Sequence, residues 1–154
     1  MNVSNSFNEY VKSINTVLAN VTEKQLNEAI KIIKKTIKNS GKIYIVGNGG
    51  SASIASHVSV DFAKVARVKS STFNNANLIT CFANDYGYEN WVTEAIKAYM
   101  NKNDMIILIS SSGTSKNIVN AAKYCKKKSI NLLTLSGFKK NNPLSKLGKV
   151  NFYI

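Results

Sequence analysis

Apolar residues recur every three or four positions in the first forty residues of the chain. Phe7, Val11, Ile14, Leu18 and Val21 share one face of a first predicted helix. Leu26, Ala29, Ile30, Ile33 and Ile37 share one face of a second. Thr22 followed by Gln25 has the form of a capping box that opens the second helix, and Asn39-Ser40-Gly41 closes it. Two apolar faces so early predict a helical hairpin that packs on the domain or on a partner subunit. From there the period changes. The short apolar runs 42–46 (KIYIV), 78–83 (LITCFA), 105–109 (MIILI), 131–135 (NLLTL) and 150–154 read as strands. Residues 51–66, 88–99 and 117–128 read as helices. Fully apolar strands alternating with amphipathic helices predict an α/β fold, a doubly wound parallel sheet covered on both faces. With no linker or low-complexity stretch, residues 1–154 read as one domain: the hairpin (1–40) and an α/β core (41–154).

Composition narrows the class. At 154 residues, with 44% hydrophobic residues and one proline, the chain has the profile of a globular domain. No apolar run approaches the ~20 residues that span a bilayer. Residues 1–7 are polar and carry no export pattern. Cys81 and Cys125 lack any CxxC or metal-ligand spacing, so both read as small core residues in a reducing compartment. A soluble cytoplasmic protein is expected. The charge is extreme, 21 Lys+Arg against 8 Asp+Glu for a formal net of +13. That balance fits nucleic-acid binding, but the lysines are dispersed and Arg67 is the sole arginine. A solvated lysine-rich surface reads better, and its positive field would also draw in an anionic substrate.

Two turns carry the chemistry. After the 105–109 run come Ser110, Ser111, Ser112, Gly113, Thr114 and Ser115, five hydroxyls and a glycine ahead of a helix. A helix N-terminus presents unpaired N–H groups and the positive end of the dipole, which suits a phosphate. A serine-rich cap without a ligand is the plainer reading, and the place of the turn at the carboxyl end of a parallel strand favours the phosphate. No Gly-Lys-Ser/Thr follows the glycine, so this is not an ATP-hydrolysing loop. The first turn, Gly47 to Ala52, satisfies a relaxed GxGxxA, yet the acidic residue expected some 20 positions on is missing. Arg67 leaves a 2′-phosphate-binding NADP module open. Four residues apart on the helix after the first turn, His57 and Asp61 share a face. They form either a proton-transfer dyad, half of a metal site, or a surface pair.

In their order and spacing these motifs resemble the sugar isomerase (SIS) domain family, and within it the phosphoheptose isomerases of lipopolysaccharide and capsule biosynthesis. The resemblance rests on Gly47-Asn48-Gly49-Gly50-Ser51 with His57, on Ala83-Asn84-Asp85-Tyr86-Gly87-Tyr88, and on Ser110 to Ser115 with Asn117. It implies a flavodoxin-like core and a homotetramer with its sites between subunits. It also implies ketose–aldose isomerisation of sedoheptulose 7-phosphate through an enediol, with no nucleotide cofactor. By the same resemblance Asn48, Gly49, Gly50 and Ser51 line the sugar site, while Asn84 and Asp85 contact the sugar. Ser110, Ser112 and Ser115, with Ser111 beside them, hold the phosphate. His57 matches a zinc ligand of some members. Asp61 stands where the heptose isomerases place a glutamate that transfers protons and binds the metal. The family's last helix, with a second histidine and a glutamine ligand, has no counterpart up to Ile154. The expectation is therefore a chain that binds phosphate and needs further residues or a neighbouring subunit to catalyse. The other reading is a non-catalytic SIS module that binds a sugar phosphate or a protein partner, as does the relative that binds the bacterial replication initiator.

Overall fold

The structure, a computed structural model, describes residues 3–154; the first two residues of the expected hairpin lie outside them. In chain order the elements are α1 (Val3–Ala19), α2 (Glu23–Lys38), β1 (Ile43–Val46), α3 (Gly50–Lys64), β2 (Ser70–Ser71) and α4 (Ala76–Tyr86). They continue with α5 (Trp91–Tyr99), β3 (Met105–Ser110), α6 (Lys116–Lys127), β4 (Asn131–Ser136), a 3-10 turn (Leu144–Lys146) and β5 (Val150–Tyr153). The five strands form one parallel sheet in the order β2-β1-β3-β4-β5. This is the doubly wound α/β arrangement expected from the alternating pattern.

The pleat of the strands divides the interior into two cores. Tyr44, Val46, Ile106, Leu108 and Leu132 face one side and pack on Trp91, Val92 and Ile96 of α5 and on Ile118, Ala122 and Cys125 of α6. Ile43, Ile45, Met105, Ile107, Ile109 and Leu133 face the other and pack on Ala29 and Ile32 of α2 and Ala55 of α3. Because β1 and β3 are covered on both faces, every residue in them is buried. Their entry points are tied by Asp104, a buried carboxylate that accepts from the backbone N–H of Lys42 and of Asn101, each at 2.7 Å. The Thr22 capping box forms reciprocally: Gln25 N–H donates to the Thr22 hydroxyl at 3.2 Å and Thr22 N–H to Gln25 Oε1 at 2.9 Å. Among the described residues no helix is long and apolar enough to cross a membrane.

Two expectations are overturned. The run 78–83 is not a strand but the middle of α4. Asn75 starts that helix by accepting from the N–H groups of Asn77 and Leu78. Leu78, Ile79, Phe82 and Ala83 then lie four apart in pairs on the face turned to the core. The edge strand is instead β2, a Ser-Ser pair with no apolar signature. The helix also turns Cys81 outward, so only Cys125 is the buried cysteine.

Burial pushes the Cys125 thiol up to about 12. A folded-state value above the unfolded one leaves stability untouched below the unfolded pKa. Stability is then lost as pH rises from about 9, where the unfolded thiol ionises, towards about 12. We expect the wild type to lose up to about 1.4 kcal/mol per pH unit more than Cys125→Ala between pH ~9.5 and ~11. In the native protein at pH ~8, iodoacetamide should label Cys81 alone, and both thiols only after unfolding. Native labelling of both would contradict this placement of Cys125.

Candidate functional site

Strand order reverses between β1 and β3, and ligands of doubly wound sheets sit in the crevice outside the strand ends at such a point. The turn after β1 leads into α3 and the turn after β3 into α6, so two helix N-termini open on one crevice. Neither is capped by its own side chain: Gly49 precedes α3 and Ser115 precedes α6 without a side-chain cap bond. α2 and α4 are closed by Thr22 and Asn75, whereas α5, away from the crevice, shares the lack of a side-chain cap. The positive ends of both helix dipoles therefore face a space that suits an anion, while the Ser51 and Ala52 N–H groups already bond the Asn48 carbonyl.

That space is a cavity of about 210 Å³ lined by Asn48, Ser51, Ser110, Ser111, Ser112 and Ser115, together with Ile109 and the exposed Phe138. Ser110 is buried and its hydroxyl donates to Ser115 Oγ at 3.1 Å. Ser112 Oγ accepts from the N–H and the hydroxyl of Thr114 at 3.2 and 3.0 Å, which leaves its own proton to donate. The two turns are clamped by a reciprocal amide pair. Asn48 Nδ2 donates to Asn117 Oδ1 and Asn117 Nδ2 donates to Asn48 Oδ1, both at 2.9 Å. Asn117 is fully buried, and Tyr88 adds a longer bond to Asn48 Oδ1 at 3.4 Å.

Gly113 sits in the left-handed region (φ 63°), and a Cβ there would lie 2.0 Å from Asn142 Oδ1. Asn142 is itself buried. It donates to Ser136 Oγ and the Lys139 carbonyl and accepts from Ser145 N–H, so it fixes the segment after β4 against the serine turn. Leu144 N–H closes the contact on the Gly113 carbonyl at 3.1 Å.

The other expected site residues lie elsewhere in the chain. His57 Nε2 and Asp61 Oδ2 are 3.4 Å apart, with side chains 79% and 53% exposed. Neither lines the serine cavity. At 1.5 Å per helical residue they stand about 9 and 15 Å along α3 from Ser51. Asn84 and Asp85 are exposed at the end of α4, where Asn84 Nδ2 donates to Asp85 Oδ1 at 3.0 Å. Gly49 and Gly50 have open space where a Cβ would stand. A zinc site takes at least three protein ligands, and His57 with Asp61 supplies two. Among the described residues no group of three or more His, Cys, Asp or Glu could hold a metal. Among the described residues the donors present do not fit a zinc site. Sequence reasoning missed the structural part of Asn117 and Asn142 and the place of Phe138. Asn117 carried a faint signal, an amide in the first turn of a helix that follows a glycine turn; Asn142 and Phe138 carried none.

Residues 6–137 match the family model described as SIS domain. The chain is 36% identical over 121 residues to a phosphoheptose isomerase of Helicobacter pylori (strain P12), covering 75% of this chain and 63% of the relative. It is 38% identical over 119 residues to phosphoheptose isomerase 2 of Campylobacter jejuni, covering 72% and 58%. The chain thus spans about three-fifths of the length of these curated relatives. The solved structure of phosphoheptose isomerase GmhA from Neisseria gonorrhoeae superposes with a TM-score of 0.85 at 23% identity, over 98% of this chain and 82% of that one. That likeness speaks for the fold.

Gly113→Ala should destabilise the protein by about 2 kcal/mol or more, since the new methyl meets Asn142 and the backbone conformation resists a side chain. Urea unfolding measures it. A loss below about 0.5 kcal/mol would mean that Asn142 yields and is no brace.

Proposed function

Because this chain belongs to the SIS domain family, we propose that it acts as a phosphosugar isomerase on sedoheptulose 7-phosphate. The observation that carries this reading is the pair of uncapped helix N-termini and five serines converging on one cavity. It is supported by relatives named phosphoheptose isomerase. In this reading Ser51, Ser110, Ser111, Ser112 and Ser115 hold the phosphate, Asn48, Gly49 and Gly50 line the sugar, and Asn84 and Asp85 contact its hydroxyls. Asp61 takes a proton from C1 while His57 hands one to the C2 oxygen, which gives the enediol. Return of the carbon-bound proton to C2, with loss of the C1 hydroxyl proton to His57, yields the aldose.

The pair on α3 stands far along the helix from the serines of its own chain, so the reading places it against a substrate held by a neighbouring subunit of a homotetramer. Exposed apolar side chains support such packing: Ile54, Val60 and Val65 on and beside α3, and Phe7, Val11, Ile14 and Leu18 on α1. The enzyme would work in the cytoplasm, supplying heptose for lipopolysaccharide or capsule. The finer assignment of zinc would require donors beyond His57 and Asp61.

Sedoheptulose 7-phosphate at a hundredfold excess over Kd should stabilise the protein by about 2.7 kcal/mol, and sedoheptulose far less. Equal thermal shifts would remove the phosphate site. Asp61→Asn should lower kcat at least ~10²-fold without weakening phosphate binding, whereas Ser112→Ala should weaken binding. Mixing the two variants should restore part of the activity if sites form between subunits. An Asp61→Asn enzyme of wild-type activity would leave the pair as a surface contact.

A further inference from the structure

Among the described residues, four other than glycine have a left-handed backbone: Ser40, Arg67, Ser129 and Phe138. Three of them end helices. Ser40 and Ser129 follow α2 and α6, and the next N–H reaches back to Thr36 and Cys125 in the manner of a helix C-terminus. Arg67 follows α3, where Ala66 and Val68 N–H groups turn back to Asp61 and Phe62. Phe138 has no such reason. It stands two residues after β4 at φ 57°, a conformation that is an outlier for a bulky side chain. The adjacent Gly137, which could take it without strain, does not.

The side chain gives nothing back by packing. Phe138 is 79% exposed, while the backbone on either side of it is held by hydrogen bonds. Gly137 N–H donates to the Ser111 carbonyl at 2.9 Å, and the Tyr153 hydroxyl donates to the Phe138 carbonyl at 3.2 Å. Buried Asn142 binds the Gly137 and Lys139 carbonyls. The backbone is thus held from both sides in a costly conformation, and what it presents is one aromatic ring. That ring borders the serine cavity and also the adjoining recess of about 280 Å³ that shares Ser51, Ile109 and Ser111 with it. Strain of this kind persists where surrounding structure over-determines it, and it marks ligand-facing positions.

We propose that Phe138 is a specificity-determining residue of this site: its ring closes over the carbon chain of a ligand whose phosphate is held by the serines. The inference rests on the phosphosugar reading above and adds a second anchor to it. The serines bind the dianion whatever it is attached to. The ring presents a π face to the C–H bonds of the sugar, excludes water from the mouth, and so separates a sugar phosphate from free phosphate.

The test uses the whole chain and two ligands, sedoheptulose 7-phosphate and inorganic phosphate, with Phe138→Gly and Phe138→Tyr beside the wild type. Phe138→Gly should raise Tm by about 2–4 °C, because the strain is relieved and little packing is lost. It should weaken sugar-phosphate binding roughly tenfold and leave the Kd for inorganic phosphate within about twofold. Phe138→Tyr, which keeps the ring, should restore the sugar-phosphate affinity. A fall in Tm for Phe138→Gly would make the ring a packing element and overturn the proposal. So would an unchanged Kd for the sugar phosphate, or an equal loss for both ligands. A wild type that binds neither ligand would sink the phosphosugar reading itself, and this inference with it. A wild type that prefers the sugar phosphate, matched by Phe138→Gly, would sink the inference alone.

Discussion

The parallel pairing of β1 with β3 is the constraint from which the site follows. Ile43 stands opposite Met105 and Val46 opposite Leu108, so the two strands run out side by side at the same edge. Each is the last strand before a crossover in a different direction: α3 carries the chain outward to β2 and α6 carries it the other way to β4. Two helices must therefore start next to each other with their N–H groups turned into one crevice. A slip in register would separate them and would also turn the apolar side chains of both strands to the wrong cores. Full burial of both strands excludes it.

Placing two positive dipole ends together is unfavourable unless something occupies or braces the gap. The protein supplies the brace in the Asn48–Asn117 pair, in which each amide both donates and accepts. Asn142 does the same one layer further out, with the Gly113 turn pressed against its side chain. These amides are satisfied within the protein and leave the Ser112 proton and the two helix dipole ends available to a ligand. Rigidity and unsatisfied donors coexist because different residues provide them. That is the condition for binding an anion without paying to reorganise the site.

Much of this was legible because the sheet writes its own signature. KIYIV and MIILI are continuously apolar since both faces are covered, and each stops at a Gly- or Ser-rich turn. The capping box at Thr22 was equally plain, because Thr and Gln three apart act locally. LITCFA misled because six residues of mixed β-branched and aromatic character fit one strand or one and a half helical turns equally well. What decided it was the Asn75 cap and the spacing of Leu78 to Phe82, visible only once the core face was known. The true edge strand, Ser70–Ser71, has no apolar run since it is two residues long and half-buried. Asn142 and Phe138 were illegible for another reason: their roles depend on the long-range approach of the post-β4 segment to the serine turn, which leaves no periodic trace.

His57 and Asp61 show where local spacing informs and where it stops. Spacing of four put them on one helical face, and the contact at 3.4 Å agrees. It could not say which way that face points, and it points to solvent, not into the cavity beside the same helix's first turn. On the proposed reading this is a division of labour along α3. Its N-terminus would anchor a phosphate in its own subunit, and its middle would offer an acid–base pair to a neighbour. Such an arrangement makes turnover depend on assembly while anchoring does not. A chain that has folded but not associated would then bind its substrate and wait, with the proton-transfer groups harmless in water until a second copy brings a carbon acid within reach.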